Sequence, residues 1–205
     1  MPNKVIIYIH GKGGNADDSE YFKPLFPKYD ILGFDYKSEN PWDAEKEYKE
    51  YFTALSKKYS SITVIASSLG AFLLMASDIS NLINKAFFVS PIVNMECIIV
   101  GMMLQANISE EELKNKGIIY VSPETTLSWK YLEWARKHTI IWNVPTFILY
   151  GEKDHFQTLD TIKGFAESIN ADLTIMPDGE HWFHTNEQNE FRWNWFKKYT
   201  DCKPL

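Results

Sequence analysis

The sequence VIASSLGAF, residues 64 to 72, places two adjacent serines between an apolar run and a segment with the composition of a helix. The run that ends there, residues 62–66, is mostly β-branched and apolar, which is typical of a strand buried on both faces. In a parallel sheet, ligands bind beyond the carboxyl ends of the strands. Ser67 and Ser68 therefore lie where chemistry is expected, although the stretch alone also fits a strand end followed by a helix cap.

The residues around the two serines distinguish them. A sharp turn from a strand into a helix needs small residues two positions before and two positions after its central residue. Ala66 and Gly70 stand at these positions around Ser68. The corresponding neighbours of Ser67 are an isoleucine and a leucine, which would clash. Ser68 is therefore the candidate nucleophile, and the start of the following helix would add backbone N–H groups beside its hydroxyl.

Strands and helices alternate along most of the chain. Apolar runs that indicate buried strands occupy residues 5–9, 31–34, 62–66, 86–89, 146–150 and 173–176. Helices are predicted between them, including one capped by Asn40, with Pro41 in its first turn and an apolar stripe from Tyr48 to Tyr59. This alternation predicts an α/β fold with a mostly parallel sheet of about six strands and helices on both faces.

Residues 92–143 interrupt the alternation, and we predict only two helices within them. One should begin at the capping residue Ser109 and end at Gly117, and the other is the aromatic-rich segment 129–138. We interpret residues 1–205 as a single domain in which the interrupting segment is a lid inserted over the sheet. Its apolar side chains are expected to line a pocket for a small, uncharged acyl substrate.

Composition excludes several classes of function. The chain has 205 residues, 45% of them hydrophobic, and a formal net charge of −6 with no basic stripe, which argues against nucleic acid and anionic membranes as partners. The longest apolar region, residues 86–104, is broken by polar residues and is not expected to span a membrane. Cys97 and Cys202 suggest neither a disulfide framework nor a metal site. With no secretory leader evident, we expect a cytoplasmic protein; oligomeric state is not indicated.

A serine hydroxyl needs a general base, and the chain offers five histidines. His181, in the loop after the last predicted strand, is the preferred base. His184 is the alternative, but it directly precedes the last predicted helix, where a packing role is usual. The other three are less suitable: His10 is placed to hold the first loop, His138 ends a helix, and His155 adjoins the candidate acid.

The base in turn needs a carboxylate that fixes its tautomer and stabilises its protonated form. Asp154 follows the strand at 146–150, so it should lie at the same edge of the sheet as Ser68 and His181. Glu152, two residues earlier, is the rival for this role.

The chain order Ser–Asp–His, with each residue after a successive strand, resembles the α/β-hydrolase superfamily. The motifs that carry the resemblance are HGKGG (10–14), ASSLG (66–70), GEKD (151–154) and GEHWF (179–183). The resemblance implies this family's fold without its first two strands, and a triad of Ser68, His181 and Asp154. It implies a serine hydrolase that cleaves a carboxylic ester or a related acyl bond through an acyl-enzyme, without metal or cofactor.

In that family an oxyanion hole is formed by two backbone N–H groups. The resemblance implies that they belong here to Leu69 and to either Lys12 or Gly13. Because one fold hosts many reactions, a peptidase, a thioesterase and a C–C hydrolase remain alternatives on the same triad.

The sequence also contains a pattern that is typical of a different class of enzyme. Gly11, Gly13 and Ala16 also fit the dinucleotide-binding pattern, with Asp35 as the residue that would bind a ribose, which would indicate a nicotinamide-dependent oxidoreductase. The pattern requires its glycines to open a helix packed on the sheet. The polar residues 17–20 and the proline that follows them do not favour such a helix.

Overall fold

The computed structural model describes residues 3–123 and 125–200. Within these ranges the strands are β1 (Lys4–Ile9), β2 (Asp30–Gly33), β3 (Ser61–Ser67), β4 (Lys85–Val89), β5 (Ile118–Ser122), β6 (Thr125–Ser128), β7 (Thr146–Gly151) and β8 (Asp172–Met176). The α-helices are α1 (Pro41–Ser56), α2 (Ser68–Ala76), α3 (Met95–Gln105), α4 (Glu110–Lys116), α5 (Trp129–Lys137), α6 (Leu159–Ser168) and α7 (Asn186–Thr200).

Six strands form one sheet in the order β2-β1-β3-β4-β7-β8, and all neighbours in it are parallel. All six predicted strands are present, so the predicted α/β architecture is confirmed. The order reverses between β1 and β3, because the chain first adds β2 on one side of β1 and then all later strands on the other. The loops after β1 and β3 diverge at such a switch point and leave a crevice at the carboxyl edge of the sheet.

Both faces of this sheet are covered. On one face, Tyr8, Phe87 and Leu149 pack in a buried cluster with Phe22 and with Phe196 of α7. The strand residues of opposite parity are equally buried, as expected when helices cover the second face as well. Helices α1 and α2 contact each other and β3.

The sequence signals at α1 act as predicted, with one exception. The Asn40 side chain accepts a hydrogen bond from the Asp43 N–H at 3.0 Å, and Pro41 occupies the first turn. Tyr48 and Phe52 are fully buried. Tyr59 does not belong to the stripe, because the helix ends at Ser56 and the residue is only half-buried.

The segment Val93–Ile140 is a compact unit of its own. The two helices predicted here are present: the Ser109 hydroxyl caps α4, Gly117 ends it with φ 73°, and the other is α5. The prediction missed α3 and the antiparallel pair β5–β6. Both lack the usual signal, because α3 is apolar on nearly every side and β5 is exposed along most of its length, so neither shows a clean period.

An arginine cross-links the three helices of this unit. Arg136 of α5 donates to Glu96 of α3 at 2.7 Å and makes two hydrogen bonds to Glu110 of α4 at 2.6 and 2.8 Å. These hydrogen bonds lower the pKa of the Glu110 carboxyl. A bidentate arginine–carboxylate pair adds geometric specificity to a surface contact.

Two further expectations concern single features. Among the described residues, no helix combines the length and the apolar character needed to cross a bilayer. Cys97 is exposed and not in a disulfide, whereas Cys202 lies outside the described residues.

The loop after β1 does not provide the helix that the dinucleotide interpretation requires. A turn at Gly11–Gly14 is followed by a seven-residue 3₁₀ helix, Ala16–Phe22, which Asn15 caps. Its short length gives no long helix whose N-terminus could face a pyrophosphate. Asp35 is exposed and paired with Lys37 at 2.7 Å, and this hydrogen bond lowers the pKa of its carboxyl.

Candidate active site

Ser68 stands at the sharp junction between β3 and α2, and its backbone is in the left-handed region with φ 48°. A non-glycine residue there costs about 1–3 kcal/mol, which the surrounding structure must offset. Tight packing does so: a Cβ added to Gly70 would lie 2.2 Å from the His10 carbonyl oxygen, and one added to Gly11 would lie 3.0 Å from the Ser68 Cβ. The small residue two positions after Ser68 is therefore required by the close approach of the β1 loop.

Gly70→Ala is therefore expected to destabilise the protein by about 1–3 kcal/mol or more, because the added methyl group meets backbone, which cannot easily move. Equilibrium unfolding in urea measures the change. Gly164→Ala is the matched control: this helical glycine is exposed and a Cβ there meets nothing within 4 Å, so the variant should gain about 0.5–1 kcal/mol. Equal stability of Gly70→Ala and the parent protein would contradict the tight approach.

His181 lies between Ser68 and Asp154. Its Nε2 is 2.8 Å from the Ser68 Oγ, and its Nδ1 is 2.6 Å from the Asp154 Oδ2. A carboxylate only accepts hydrogen bonds, so Nδ1 carries the proton and Nε2 is the atom that accepts from the serine hydroxyl. In serine hydrolases, a serine, a histidine and a carboxylate in this order of contacts act as nucleophile, general base and orienting acid.

The Asp154 carboxylate is held from both sides. Its side chain is completely buried, its Oδ2 faces His181, and its Oδ1 accepts from the Phe156 N–H at 2.8 Å and from the Gln157 N–H at 3.4 Å. The Tyr150 hydroxyl donates to the Gln157 carbonyl at 2.7 Å and ties the same loop to β7. The carboxylate therefore has a fixed orientation before any substrate binds.

Glu152, the other candidate for the acid, contacts a different part of the structure. The Glu152 side chain is exposed and accepts a hydrogen bond from the Asp178 N–H at 3.1 Å. This contact helps to join the loop that carries Asp154 to the loop that carries His181.

Two glycines bring these loops together. A Cβ on Gly151 would lie 2.5 Å from the Gly179 carbonyl oxygen, so the approach of the two loops leaves no room for a side chain at Gly151. The same carbonyl accepts from the Lys153 N–H at 2.8 Å. Lys153 also pairs with Asp178 at 2.6 Å, which raises the pKa of its ammonium group. The spacing of the glycines in GEKD and DGEH thus determines how closely acid and base approach.

The loop after β1 carries the two alternative oxyanion donors. Gly13 has φ 81°, and the Gly14 N–H is used inside the turn, where it donates to the Gly11 carbonyl at 3.1 Å. Lys12 and Gly13 thus remain the two candidates in this loop. The loop is anchored at its base, because the buried Tyr36 hydroxyl donates to the His10 carbonyl at 2.8 Å and the two rings stack 4.5 Å apart.

His10, His138 and His184 have other contacts. His10 is a hydrogen-bond partner of its own loop through Nδ1, 2.8 Å from the Gly11 carbonyl oxygen. His138 stacks on Trp134 at the end of α5. His184 is exposed beside Glu180 at 3.2 Å, so the packing role expected for it is wrong. The residue that packs is its neighbour Phe183, which is buried in the core cluster.

Ser67 is engaged on the other side of β3. Burial, followed by the negative charge of Asp18, raises the pKa of the Tyr8 hydroxyl to about 12, and Ser67 is a side-chain hydrogen-bond partner of that hydroxyl. The two adjacent serines therefore have different surroundings, one facing the core cluster and the other facing His181.

Sequence reasoning missed the rings around the base. Phe156 and Trp182 lie 4.6 and 5.2 Å from the His181 ring, measured between centroids. The available signal was their position in the chain: one follows Asp154 by two residues and the other follows His181 directly. Within the described ranges, no three side chains of His, Cys, Asp or Glu are grouped as metal ligands would be.

Comparisons with known proteins identify the fold. No family model matches the chain, and no curated protein matches it. Among solved structures, it is similar to Est1E from Butyrivibrio proteoclasticus, with 15% identity, coverage of 97% of this chain and 88% of that one, and a TM-score of 0.74.

Two further structures extend this similarity. Alpha/beta hydrolase domain-containing protein 10 from mouse has 16% identity, coverage of 96% and 89%, and a TM-score of 0.67. The monoacylglycerol lipase of Paleococcus ferrophilus has 13% identity, coverage of 95% and 93%, and a TM-score of 0.66. These similarities extend over nearly the whole chain and show that it has the α/β-hydrolase fold.

Proposed function

We propose that the protein is a serine hydrolase that cleaves a carboxylic ester through an acyl-enzyme. The observation that carries the proposal is the continuous hydrogen-bond chain from the Ser68 hydroxyl through both nitrogens of His181 to the buried Asp154 carboxylate. Ser68 is half-buried, so its hydroxyl is accessible to a small substrate while the base and the acid are shielded from water.

Each residue has a distinct role in the proposed reaction. His181 Nε2 takes the Ser68 proton as the oxygen attacks the carbonyl carbon, and Asp154 stabilises the imidazolium that forms. The imidazolium then gives its proton to the leaving alcohol, which departs and leaves the acyl group on Ser68. In the second half, His181 takes a proton from water, the resulting hydroxide attacks the acyl carbon, and Ser68 regains a proton as the acid is released.

The negative oxygen of the tetrahedral intermediate needs two N–H donors. We assign one to Leu69, the first residue after the nucleophile, and the other to Lys12 or Gly13 in the β1 loop. The closeness of Gly11 to the Ser68 Cβ and the anchoring of His10 by Tyr36 support this assignment. Donors that are fixed in advance lower the barrier because they need no reorganisation as charge develops.

The substrate class is narrowed by similarity alone. Est1E was also solved with ferulic acid bound, and two other structural neighbours are a monoacylglycerol lipase and a lipase-esterase related protein from Clostridium acetobutylicum. We therefore propose a small-molecule ester in preference to a peptide. A thioesterase and a C–C hydrolase use the same residues and are the alternatives.

Covalent labelling with a fluorophosphonate, followed by mass mapping, tests the reaction class. We expect a single label on the peptide that contains Ser68. A panel of p-nitrophenyl esters of increasing chain length then tests for ester hydrolysis. A protein that takes up no label and cleaves no ester would contradict the proposal.

Asp154→Asn is expected to lower kcat by up to about 10⁴-fold with an unchanged fold, because the amide no longer selects the productive tautomer of His181. Steady-state kinetics and circular dichroism measure the two effects. Glu152→Gln is the matched control, since that side chain is exposed and its carboxylate accepts from the Asp178 N–H of the neighbouring loop. A larger loss in Glu152→Gln than in Asp154→Asn would mean that the acid has been misassigned.

A further inference from the structure

Three aromatic rings form a cluster on the two loops that carry the acid and the base; we call it the aromatic cluster. Trp182 lies 5.4 Å from Phe156 and 5.6 Å from His155, measured between ring centroids. Two of the rings also contact His181, as described above. The cluster is therefore continuous with the proposed base.

Trp182 is unusual in its exposure. It is 56% exposed, whereas Trp142 and Trp195 are 2% and 1% exposed. Its neighbour Phe183 already anchors the chain in the core at 1% exposure, so the indole is not needed to hold the loop. A large exposed aromatic surface beside a catalytic group indicates a binding site.

The chemistry of the proposed reaction determines which part of the substrate reaches this surface. His181 Nε2 must deliver its proton to the oxygen of the departing alcohol, so that oxygen lies within hydrogen-bond distance of the imidazole. The oxyanion donors at Leu69 and the β1 loop hold the carbonyl oxygen instead. The alcohol portion of an ester is therefore the portion that extends along the His181 loop.

We propose that Trp182, together with the neighbouring rings of Phe156 and His155, is a subsite for an aromatic alcohol portion of the substrate ester. This inference rests on the proposed function. An indole binds another aromatic ring by offset or edge-to-face contact. On the two loops that carry the cluster, Glu152, Glu180 and the ion pair of Lys153 with Asp178 together have a negative charge, which favours an uncharged ring over an anionic one.

A matched pair of esters tests the subsite. Benzyl acetate and butyl acetate have the same acyl group and primary alcohols of similar reactivity, and only the first carries a ring in its alcohol portion. We expect the parent protein to prefer benzyl acetate in kcat/KM. Trp182→Ala should lower the benzyl-to-butyl ratio by about 2- to 12-fold, the range expected for one aromatic pair, and Trp182→Phe should retain most of it.

Two controls define the position of the subsite. Trp193→Ala removes an indole that packs against Tyr21, away from the His181 loop, and should leave the ratio unchanged. A second pair of esters, methyl phenylacetate and methyl pentanoate, differs by a ring in the acyl portion. Trp182→Ala should not change the ratio of kcat/KM between these two esters. An equal loss on all four esters, or a loss confined to the aromatic acyl ester, would overturn the subsite.

The outcomes also separate this inference from the proposed function. A protein that labels at Ser68 and hydrolyses esters without preferring the benzyl alcohol contradicts the subsite alone. A protein that neither labels nor hydrolyses any of the four esters contradicts both.

Discussion

Ser68→Ala is expected to lower kcat by about 10⁶-fold and to abolish covalent labelling, while the protein remains folded. The magnitude is that measured when the nucleophile of a serine hydrolase of another fold is removed. Alanine and serine both adopt a left-handed backbone only at a similar energetic cost. The thermal midpoint of the variant should therefore be close to that of the parent protein. Turnover of a p-nitrophenyl ester and intact-mass analysis after fluorophosphonate treatment measure the two losses.

Ser67→Ala is the matched control for this experiment. It removes a hydroxyl of the same size from the adjacent position, where the partner is the buried Tyr8 hydroxyl. We expect it to label normally and to lose about 1 kcal/mol of unfolding free energy, the usual cost of one hydrogen bond. A label that maps to Ser67 would place the nucleophile one residue earlier and refute the assignment.

His181→Ala should be as damaging as loss of the nucleophile, about 10⁶-fold in kcat, because members of a triad act as a unit and their losses do not add. The double variant Ser68→Ala/His181→Ala should therefore be no slower than either single variant. Kinetics of the two single variants and the double variant measure this non-additivity.

His184→Ala is the control for the base. This imidazole is exposed and pairs with Glu180 on the surface, a kind of contact worth at most about 1 kcal/mol. Activity should be retained. An inactive His184→Ala beside an active His181→Ala would exchange the two roles.

The order of strands and helices was predictable because buried parallel strands are marked by short apolar runs that polar turns separate. Such runs fixed β1, β3, β4 and β7 within one or two residues. Side-chain caps were equally informative: Asn40 and Ser109 begin their helices as predicted. These signals are local, so one sequence suffices to detect them.

The positions of Ser68, Asp154 and His181 were also predictable, because each stands after a parallel strand and such ends share one edge of the sheet. The packing that brings these three side chains into contact was not predictable. It depends on non-local approaches, such as Gly70 against His10 and Gly151 against Gly179. A glycine in a sequence does not show which distant segment of the backbone packs closely against it.

The inner organisation of residues 93–140 was the least predictable part. Helix α3 and strand β5 carry apolar residues without a clear period, and the periodicity that identifies an amphipathic element was therefore missing. The aromatic cluster escaped notice for a related reason: Trp182 and Phe156 are separated by 26 residues in the chain and meet only because two loops are joined.

The order of the strands has a consequence for how the chain acquires its structure during synthesis. Strand β1 lies inside the sheet and pairs on one side with β3, where Lys4 is opposite Ser61. Strand β3 is synthesised much later than β1. At about 5–20 residues per second, β1 waits roughly 3–11 s for β3. The pairing of β1 with β3 cannot form earlier through a short hairpin, because a hairpin joins antiparallel strands and these two are parallel. A nascent chain therefore leaves the β3-facing edge of an apolar strand unpaired for seconds, and an unpaired strand edge of this kind is prone to aggregation.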